Sequence, residues 1–258
     1  MDKTIIRRVE KELGMIRFDH VSKLYGDKEA LSDVNMTVAN GEIFGLIGHN
    51  GAGKTTTISI LTSIIEASYG EVYVDELPLS EHRDDIKKRI GYVPDSPDIF
   101  LNLTAIEYWH FLAKIYDVDD KLTDERIERL SHLFDIAENI NDLIDSFSHG
   151  MRQKVILIGA LISNPDIWIL DEPLTGLDPQ ASFDLKEMMK EHARGGNTVL
   201  FSTHVLAVAE QLCDRIGILK DGKLIFIGTL DDLKANHPDK DLETIYLELA
   251  GRKAQEEG

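Results

Sequence analysis

The chain has 258 residues, 43 % of them hydrophobic and 29 % charged, so it can bury a substantial core and has the composition of an ordinary globular protein. Its formal net charge of −18 argues against a nucleic-acid partner and against direct docking on anionic lipid, because both need clustered Lys and Arg. The single cysteine, Cys213, cannot form an internal disulfide and is interpreted as a small buried apolar residue in a reducing compartment.

No segment reaches the roughly 18 consecutive apolar residues of a membrane-spanning helix, and the longest candidate covers residues 155–162. Residues 1–14 are charged, contain no signal-peptide core, and are predicted to form a short helix or a frayed extension. We therefore expect a cytoplasmic protein, and if it acts at a membrane, a partner must bring it there.

The first part of the chain is rich in predicted strands. Apolar runs and mixed apolar and polar segments predict strands at residues 15–21, 34–38, 43–47, 70–74 and 90–93. A turn is expected near Gly26, and a helix over residues 56–64 follows a glycine-rich loop.

From Thr104 the chain is predicted to be helical. Thr104 and Glu107 form a capping box at the start of a helix whose aromatic group is interpreted as core, or as a docking surface for a partner helix: Tyr108, Trp109 and Phe111. Helices continue through residue 146 with a markedly acidic, solvated face. A further helix, apolar around most of its circumference, is predicted over residues 151–163.

Strands and helices alternate in the last part of the chain. Strands are predicted at residues 167–170, 198–202, 216–219 and 223–227. Helices are predicted at residues 178–193 and 205–213, and from Thr229 onward. Asp221-Gly222 is a strong signal for a two-residue hairpin turn, and the polar tail from residue 250 is expected to be disordered.

This alternation on either side of a helical insert predicts an α/β sheet with a helical subdomain. The organisation is an N-terminal extension, two parts of one core around the helical subdomain, and a C-terminal helix and tail, with boundaries at residues 1–14, 15–94, 95–165, 166–235 and 236–258. The glycine loop and the strand that ends at Asp171 are expected at the carboxyl edge of one parallel sheet, where ligands bind in such folds.

Residues 48–55 match the pattern G-x-x-x-x-G-K-[ST] between a predicted strand and a predicted helix, which is the context of a phosphate-binding loop. The glycines turn successive backbone N–H groups toward phosphate oxygens, Lys54 supplies a charge for the β- and γ-phosphates, and Thr55 a hydroxyl for Mg²⁺. A chance glycine-rich turn is the alternative. The expected nucleotide contacts are Gly48, His49, Asn50, Gly51, Ala52, Gly53, Lys54, Thr55 and Thr56.

Two carboxylates follow the apolar strand at residues 167–170. A carboxylate there is costly unless it serves a cation, so Asp171 is predicted to hold the Mg²⁺ shell together with Thr55. Glu172 points to a different side and is predicted to orient or deprotonate the water that attacks the γ-phosphate. The alternative is a helix cap or a surface turn.

The order of these motifs resembles the nucleotide-binding subunits of ATP-binding-cassette (ABC) transporters over residues 15–235. The resemblance implies an α/β fold: a P-loop ATPase core with a mixed or parallel sheet flanked by helices, an antiparallel β subdomain, and a helical subdomain. It also implies that two such subunits close face to face on ATP and Mg²⁺. Each site then joins the phosphate loop of one subunit to a signature segment of the other.

The signature segment would be residues 147–151, where the family usually has leucine, serine, glycine, glycine and glutamine. Ser148 and Gly150 match that pattern and are expected to reach the γ-phosphate bound to a second copy. His149 and Met151 depart from it; His149 is interpreted as tolerated variation, with a role in pH sensing as the alternative.

The family places a glutamine that senses Mg²⁺ after the strand at residues 90–93, and this chain has Asp95 there. A charged, shorter side chain binds Mg²⁺ more strongly or repels the γ-phosphate, and our hypothesis is that Asp95 approaches the metal.

Three further positions fit the resemblance. Tyr25 lies where an aromatic ring stacks on adenine, although a buried strand aromatic is the alternative. Leu177-Asp178 resembles the loop by which the two subunits sense each other. His204 resembles the switch histidine that bonds the γ-phosphate, and it completes the expected catalytic set with Lys54 and Glu172.

The resemblance implies an ATPase subunit that drives transport, with export favoured over import, through separate membrane permease subunits. A second copy of the chain or a related ATPase subunit would complete the dimer. Two alternatives stay open at this point. One is an ABC ATPase acting on a soluble protein scaffold, as in iron–sulfur assembly. The other is a non-catalytic module that uses ATP as a clamp.

Overall fold

The computed structural model describes residues 15–235, 240 and 242–249, so the expectations for residues 1–14 and for the tail from residue 250 lie outside the described residues. In chain order the elements are β1 (Ile16–Tyr25), β2 (Lys28–Val38), β3 (Ile43–Ile47), α1 (Lys54–Leu61), β4 (Tyr69–Val74), β5 (Leu77–Pro78), α2 (Arg83–Lys87), β6 (Ile90–Val93), α3 (Ala105–Ile115), α4 (Asp120–Leu133), two 3-10 turns (Ala137–Asn139 and Ile144–Ser146), α5 (His149–Ile162), β7 (Ile167–Leu170), α6 (Pro179–Arg194), β8 (Thr198–Thr203), α7 (Leu206–Leu212), β9 (Arg215–Lys220), β10 (Lys223–Gly228), α8 (Leu230–Ala235) and α9 (Leu242–Leu249).

The first sheet is antiparallel, with strand order β2-β1-β4-β5. β1 and β2 are longer than the patterns at residues 15–21 and 34–38 predict, because the hairpin continues to the pair Tyr25↔Lys28 through several register shifts. Gly26, at φ 58°, makes the turn. One face of this sheet is buried, as its mixed polar and apolar sequence predicts.

The second sheet has the order β10-β9-β3-β8-β7-β6. β9, β3, β8, β7 and β6 are parallel to their neighbours, and β10 pairs antiparallel with β9, so the predicted mixed sheet and the hairpin around Asp221-Gly222 are confirmed. Every residue of β3, β7 and β8 is buried. Burial on both faces explains why β3 and β7 are continuous apolar runs and why β8 has such a run at residues 199–201.

The strand order sets which side chains meet at the carboxyl edge of this sheet. β8 lies between β3, which leads into the glycine loop, and β7, which leads into Asp171. The two motifs are therefore not on adjacent strands, and the residue that follows β8, His204, lies between them in strand order.

The segment between β6 and β7 forms a largely helical body over the end of the sheet. Thr104 and Glu107 make the predicted capping box at the start of α3. Trp109 is fully buried and its Nε1 donates a hydrogen bond of 2.9 Å to the carbonyl of Val155 on α5. The core interpretation is confirmed for Tyr108 and Trp109 but is wrong for Phe111, which is 42 % exposed beside the exposed ring of Phe100.

Two helices, α1 and α5, begin two residues earlier than the sequence predicts. α1 begins at Lys54 rather than residue 56, because Gly53 in the left-handed region already turns the chain into the helix. α5 begins two residues before the expected position, since the Ser148 side chain caps it by accepting from the N–H of Met151. The predicted C-terminal helix is α9, whose Leu242 and Ile245 are buried in a cluster with Ile47 and Leu233.

Candidate nucleotide-binding site

A cavity of about 800 Å³ opens at the carboxyl edge of the second sheet. Its walls are the β1–β2 hairpin, the glycine loop, the ends of three parallel strands and the β9–β10 turn. The lining residues are Tyr25, Lys28, Glu29, Ala30, Asn50, Gly51, Gly53, Lys54, Thr55, Thr56, Asp95, Glu172, Thr175, His204, Asp221 and Gly222.

The glycine loop wraps around the ammonium group of Lys54. Lys54 is buried, and its Nζ donates to the carbonyls of Gly48 at 2.7 Å and His49 at 3.4 Å. Gly53 has φ 111°, and a Cβ there would lie 2.7 Å from a methyl of Leu31. This position therefore requires glycine for both conformation and space.

Three of the nucleotide contacts predicted in residues 48–56 do not line the cavity. A Cβ on Gly48 would lie 2.7 Å from the carbonyl of Leu219, and Ala52 is fully buried. The His49 ring lies 2.8 Å from the carbonyl of Asn50. Gly48 and Ala52 pack into the protein behind the loop, and a direct contact of any of the three residues with nucleotide stays a prediction.

Glu172 joins two other predicted catalytic residues. Its Oε1 lies 3.2 Å from Lys54 Nζ, and its Oε2 lies 3.0 Å from Nδ1 of His204. Glu172 has φ 49°, a left-handed conformation that is uncommon for a residue with a side chain. This backbone turn points the Glu172 carboxylate into the cavity, while the preceding Asp171 stays inside the protein.

Asp171 is a buried carboxylate with one free oxygen. It is 0 % exposed, and Oδ1 accepts a hydrogen bond from the Ser202 hydroxyl. Oδ2 has no hydrogen-bond partner among the described residues. Burial raises the pKa of Asp171, and the hydroxyls of Ser202 and Thr55 oppose that rise.

Ser202 is a site residue for which the sequence analysis predicts no role. Its Oγ donates to Asp171 and accepts a hydrogen bond of 2.9 Å from the backbone N–H of Glu172. The available signal was a serine directly after the apolar run at residues 199–201, in a buried strand beside the one that ends at the two acids.

The donor set at this edge fits a hydrated Mg²⁺. Among the described residues no three His, Cys, Asp or Glu side chains form a cation cage. The predicted metal residues Thr55 and Asp95 line the cavity. Asp171 does not line it, and its Oδ2 is buried without a hydrogen-bond partner among the described residues. Mg²⁺ usually keeps several waters and takes one or two carboxylates together with substrate phosphates, which this arrangement allows.

Tyr25 lines the cavity mouth and is 51 % exposed, so the alternative of a buried strand aromatic is wrong. The ammonium of Lys23 lies 5.3 Å from the centre of the ring. An exposed ring at the mouth of the cavity is available to stack on a base.

The signature segment lies outside the cavity. The Ser148 hydroxyl caps α5, and a Cβ on Gly150 would lie 2.6 Å from the carbonyl of Gly176. The loop that contains Leu177 and Asp178 therefore packs against the start of α5. A second tie is the ion pair of 3.0 Å between Lys154 on α5 and Asp178.

The β9–β10 turn closes the cavity on the side of the glycine loop, a role that the hairpin signal did not predict. The N–H of Gly222 donates to the carbonyl of Ala52 at 3.0 Å, and the carbonyl of Gly222 accepts from Ser32 at 2.9 Å. A Cβ on Gly222 would lie 2.6 Å from the carbonyl of Ala30, so only glycine fits between the loop and β2.

The fold and the cavity define a P-loop nucleotide-binding domain with a helical body between two strands of its sheet. A family model described as ABC transporter matches residues 31–175. Since that match covers more than half of the chain, the protein belongs to the ABC transporter family and is an ATPase of the ATP-binding-cassette type that binds ATP.

Two curated relatives from Bacillus subtilis (strain 168) are similar over most of their length. The ABC transporter ATP-binding protein NatA is 34 % identical over 90 % of this chain and 97 % of its own. The linearmycin resistance ATP-binding protein LnrL is 34 % identical over 85 % of this chain and 70 % of its own.

Solved structures have the same fold. An ATP-binding subunit of an ABC transporter is 33 % identical, with a TM-score of 0.86 over 91 % of this chain and 99 % of its own. The ATP-binding cassette MJ0796, in a dimeric post-hydrolysis state with ADP and Pi, is 27 % identical, with a TM-score of 0.76 over 84 % of this chain and 99 % of its own. In the part of this chain that the structure describes, no helix is long and apolar enough to cross a membrane.

Proposed function

We propose that this subunit binds Mg²⁺-ATP in the cavity, closes on a second copy of itself, and powers export through a separate membrane permease. The observation that carries the catalytic part is the position of Glu172 between Lys54 and His204 at the cavity wall. An acid, a cation and an imidazole in contact are the groups that phosphoryl transfer to water needs.

Each residue has a role that follows from its contacts. Lys54 leaves Glu172 and pairs with the β- and γ-phosphates when nucleotide enters. Freed from Lys54, Glu172 accepts a proton from the attacking water, and His204 donates a hydrogen bond to the γ-phosphate. Thr55, Asp95 and Asp171 would hold Mg²⁺, which would supply positive charge to neutralise the phosphates. The Tyr25 ring stacks on the adenine.

The second copy supplies the other half of each site. Ser148 and Gly150 lie outside the cavity of their own chain, at the exposed N-terminus of α5. A helix N-terminus with a hydroxyl and a bare glycine suits the γ-phosphate bound to a facing subunit. The dimeric state of the related cassette MJ0796 supports this arrangement.

Transport through a permease is supported by the relatives, which are ATP-binding proteins of ABC transporters. Export is supported by LnrL, since a resistance protein for linearmycin is expected to remove a compound from the cell. The exposed pair Phe100 and Phe111 on the helical body is an apolar patch that suits a permease helix. The subunit would then sit at the inner face of the membrane.

The catalytic part is tested with purified chain and Mg²⁺-ATP. Glu172→Gln is expected to lower kcat by about a hundredfold or more, because it removes the base, and to elute as a dimer only when ATP is present. The control is Glu187→Gln, at a half-buried position on α6 outside the cavity lining where Glu187 pairs with Lys190, and it should keep wild-type activity. A fully active, monomeric Glu172→Gln protein would contradict the proposal.

The transport part is tested by affinity purification from detergent-solubilised membranes. A co-purifying polytopic membrane protein is expected. Association with a soluble scaffold protein instead would favour the alternative in iron–sulfur assembly.

A further inference from the structure

Two acidic residues end neighbouring strands at the cavity edge. β6 and β7 are parallel and pair Val93 with Leu170, and the N–H of Asp171 donates to the carbonyl of Val93 at 2.9 Å. Asp95 follows two residues after Val93, so it emerges at the same edge as Asp171. Asp95 lines the cavity at this edge.

Neither carboxylate is paired with a basic side chain among the described residues. Among the described residues, Asp95 makes no hydrogen bond or ion pair, and Asp171 makes no ion pair. Asp171 is 0 % exposed, and its Oδ2 has no hydrogen-bond partner there. The ammonium of Lys54 is engaged by Glu172 at 3.2 Å and by the carbonyl of Gly48 at 2.7 Å.

Asp171 thus has a buried acceptor without a donor, and a second carboxylate follows the end of the neighbouring strand. A cation at this edge would relieve that unfavourable arrangement. Thr55 lines the same cavity as Asp95, so its hydroxyl is a third oxygen ligand available at this edge. Two carboxylates and a hydroxyl are hard oxygen donors, which suit Mg²⁺ and Mn²⁺.

We propose that Asp95, Asp171 and Thr55 bind one divalent cation of the Mg²⁺ class before any nucleotide enters. The inference rests on the proposed role of these residues in holding Mg²⁺, and it adds that the protein, rather than the nucleotide, brings the metal to the site. The aspartate that stands where the family has glutamine supplies the second negative charge, and a neutral amide would not.

The experiment measures Mn²⁺ binding to the full-length, nucleotide-free chain by electron paramagnetic resonance of free Mn²⁺. Wild type is expected to bind one Mn²⁺ per chain, and Mg²⁺ should compete. Asp95→Gln, which restores the residue usual in the family, is expected to weaken this binding by about tenfold or more. Asp95→Asn should do the same, and circular dichroism checks that both variants are folded.

The matched control is Asp221→Asn, which removes an equal charge from the β9–β10 side of the same cavity. It should leave the Mn²⁺ affinity close to that of wild type. Equal affinities of wild type and Asp95→Gln, or no stoichiometric binding to wild type, would overturn the inference. Because Mg²⁺-ATP hydrolysis is measured separately, retained ATPase activity with either result leaves the proposed function standing.

Discussion

At the scale of single residues, the contact between Gly45 and Cys213 inside the second sheet limits which side chains fit next to the site. Gly45 lies in the middle of β3, fully enclosed by neighbouring strands. A Cβ at this position would lie 2.5 Å from Sγ of Cys213 and 3.5 Å from a methyl of Ile216. The sulfur of Cys213 thus occupies the space that a side chain at Gly45 would need. Burial raises the pKa of the Cys213 thiol well above its usual range, so the thiol stays uncharged.

Gly45→Ala is therefore expected to lower the free energy of unfolding by about 1–3 kcal/mol through overpacking. In the background of Cys213→Ala the same substitution should cost much less, because the clashing sulfur is gone. Urea unfolding of the two single variants and the double variant gives the coupling, expected at about 0.5–3 kcal/mol. Additive effects would show that the clash is relieved elsewhere.

A second residue-scale prediction concerns Ser202, which connects Asp171 to the backbone of Glu172. Ser202→Ala leaves a buried carboxylate oxygen and a backbone N–H without partners, so we expect a loss of about 1–3 kcal/mol in the free energy of unfolding. The Glu172 carboxylate also loses its position, which should lower kcat by about tenfold or more.

Ser131→Ala is the matched control for Ser202. Its hydroxyl is equally buried, but it bonds within α4 to the carbonyl of Glu128, far from the cavity. This variant should keep kcat while losing some stability. A similar fall in kcat in both variants would contradict the prediction that Ser202 positions the Glu172 carboxylate.

At the scale of elements, the β1–β2 hairpin contains a charged pair at its bulge. His20 and Asp33 both have positive φ, and Nδ1 of His20 lies 2.7 Å from Oδ1 of Asp33. The hydrogen bond to Asp33 raises the pKa of His20, and the same bond lowers the pKa of Asp33. The pair is exposed to solvent, so its effect is local.

The sign of the pH dependence follows from these directions. The contribution of His20 to stability is fully present below its unfolded pKa, near about 6.5, and is lost as the pH rises through its higher folded pKa. The contribution of Asp33 is lost as the pH falls through its depressed folded pKa. The pair therefore stabilises the hairpin most between these limits, at about pH 5 to 6.

Asp33→Asn is expected to lower the His20 pKa, measured by NMR titration of its ring protons, and to reduce Tm more at about pH 5.5 than at pH 8. Asn tolerates the left-handed backbone of this position, so the fold should survive. Asp27→Asn, in the turn of the same hairpin, is the control. An unchanged His20 pKa in Asp33→Asn would contradict the assignment.

At the scale of the whole molecule, the helical body is tied to the nucleotide core through the start of α6. Asp178 caps that helix by accepting from the N–H of Ala181 at 2.8 Å, and it pairs with Lys154 on α5 at 3.0 Å. The Asp178 side chain thus links α5, the helix that begins in the signature segment, to the loop that follows Asp171 and Glu172.

Two variants separate these contacts of Asp178. Asp178→Asn keeps a cap but removes the ion pair, whereas Asp178→Ala removes both and should cost about 1 kcal/mol more in stability. Hydrogen exchange at the amides of residues 149–155 is expected to speed up in both variants. Faster exchange confined to α6 would show that the Asp178–Lys154 ion pair does not couple α5 to α6.

The sequence predicted most of the fold because its signals are local: apolar runs for buried strands, and Asp221-Gly222 for a hairpin. It also predicted the group of Lys54, Glu172 and His204, which the structure brings into contact. It did not predict features that depend on strand order or on one side-chain hydrogen bond. Examples are the position of β8 between the two motifs and the hydrogen bond from the Ser202 hydroxyl to Asp171. Those contacts join residues far apart in sequence, and no periodicity reports them.

The helical body has a consequence for how the chain folds. β6 is the edge strand of its sheet, and it pairs with β7 across the whole segment of residues 94–166. That pairing closes a long loop, so it should form late, after the helices have drawn the two ends together. Closure entropy grows slowly with length, by about 0.6 kcal/mol for each doubling of the loop. The crossover is therefore a place where the chain can gain or lose helical turns and change its folding rate far more than its stability.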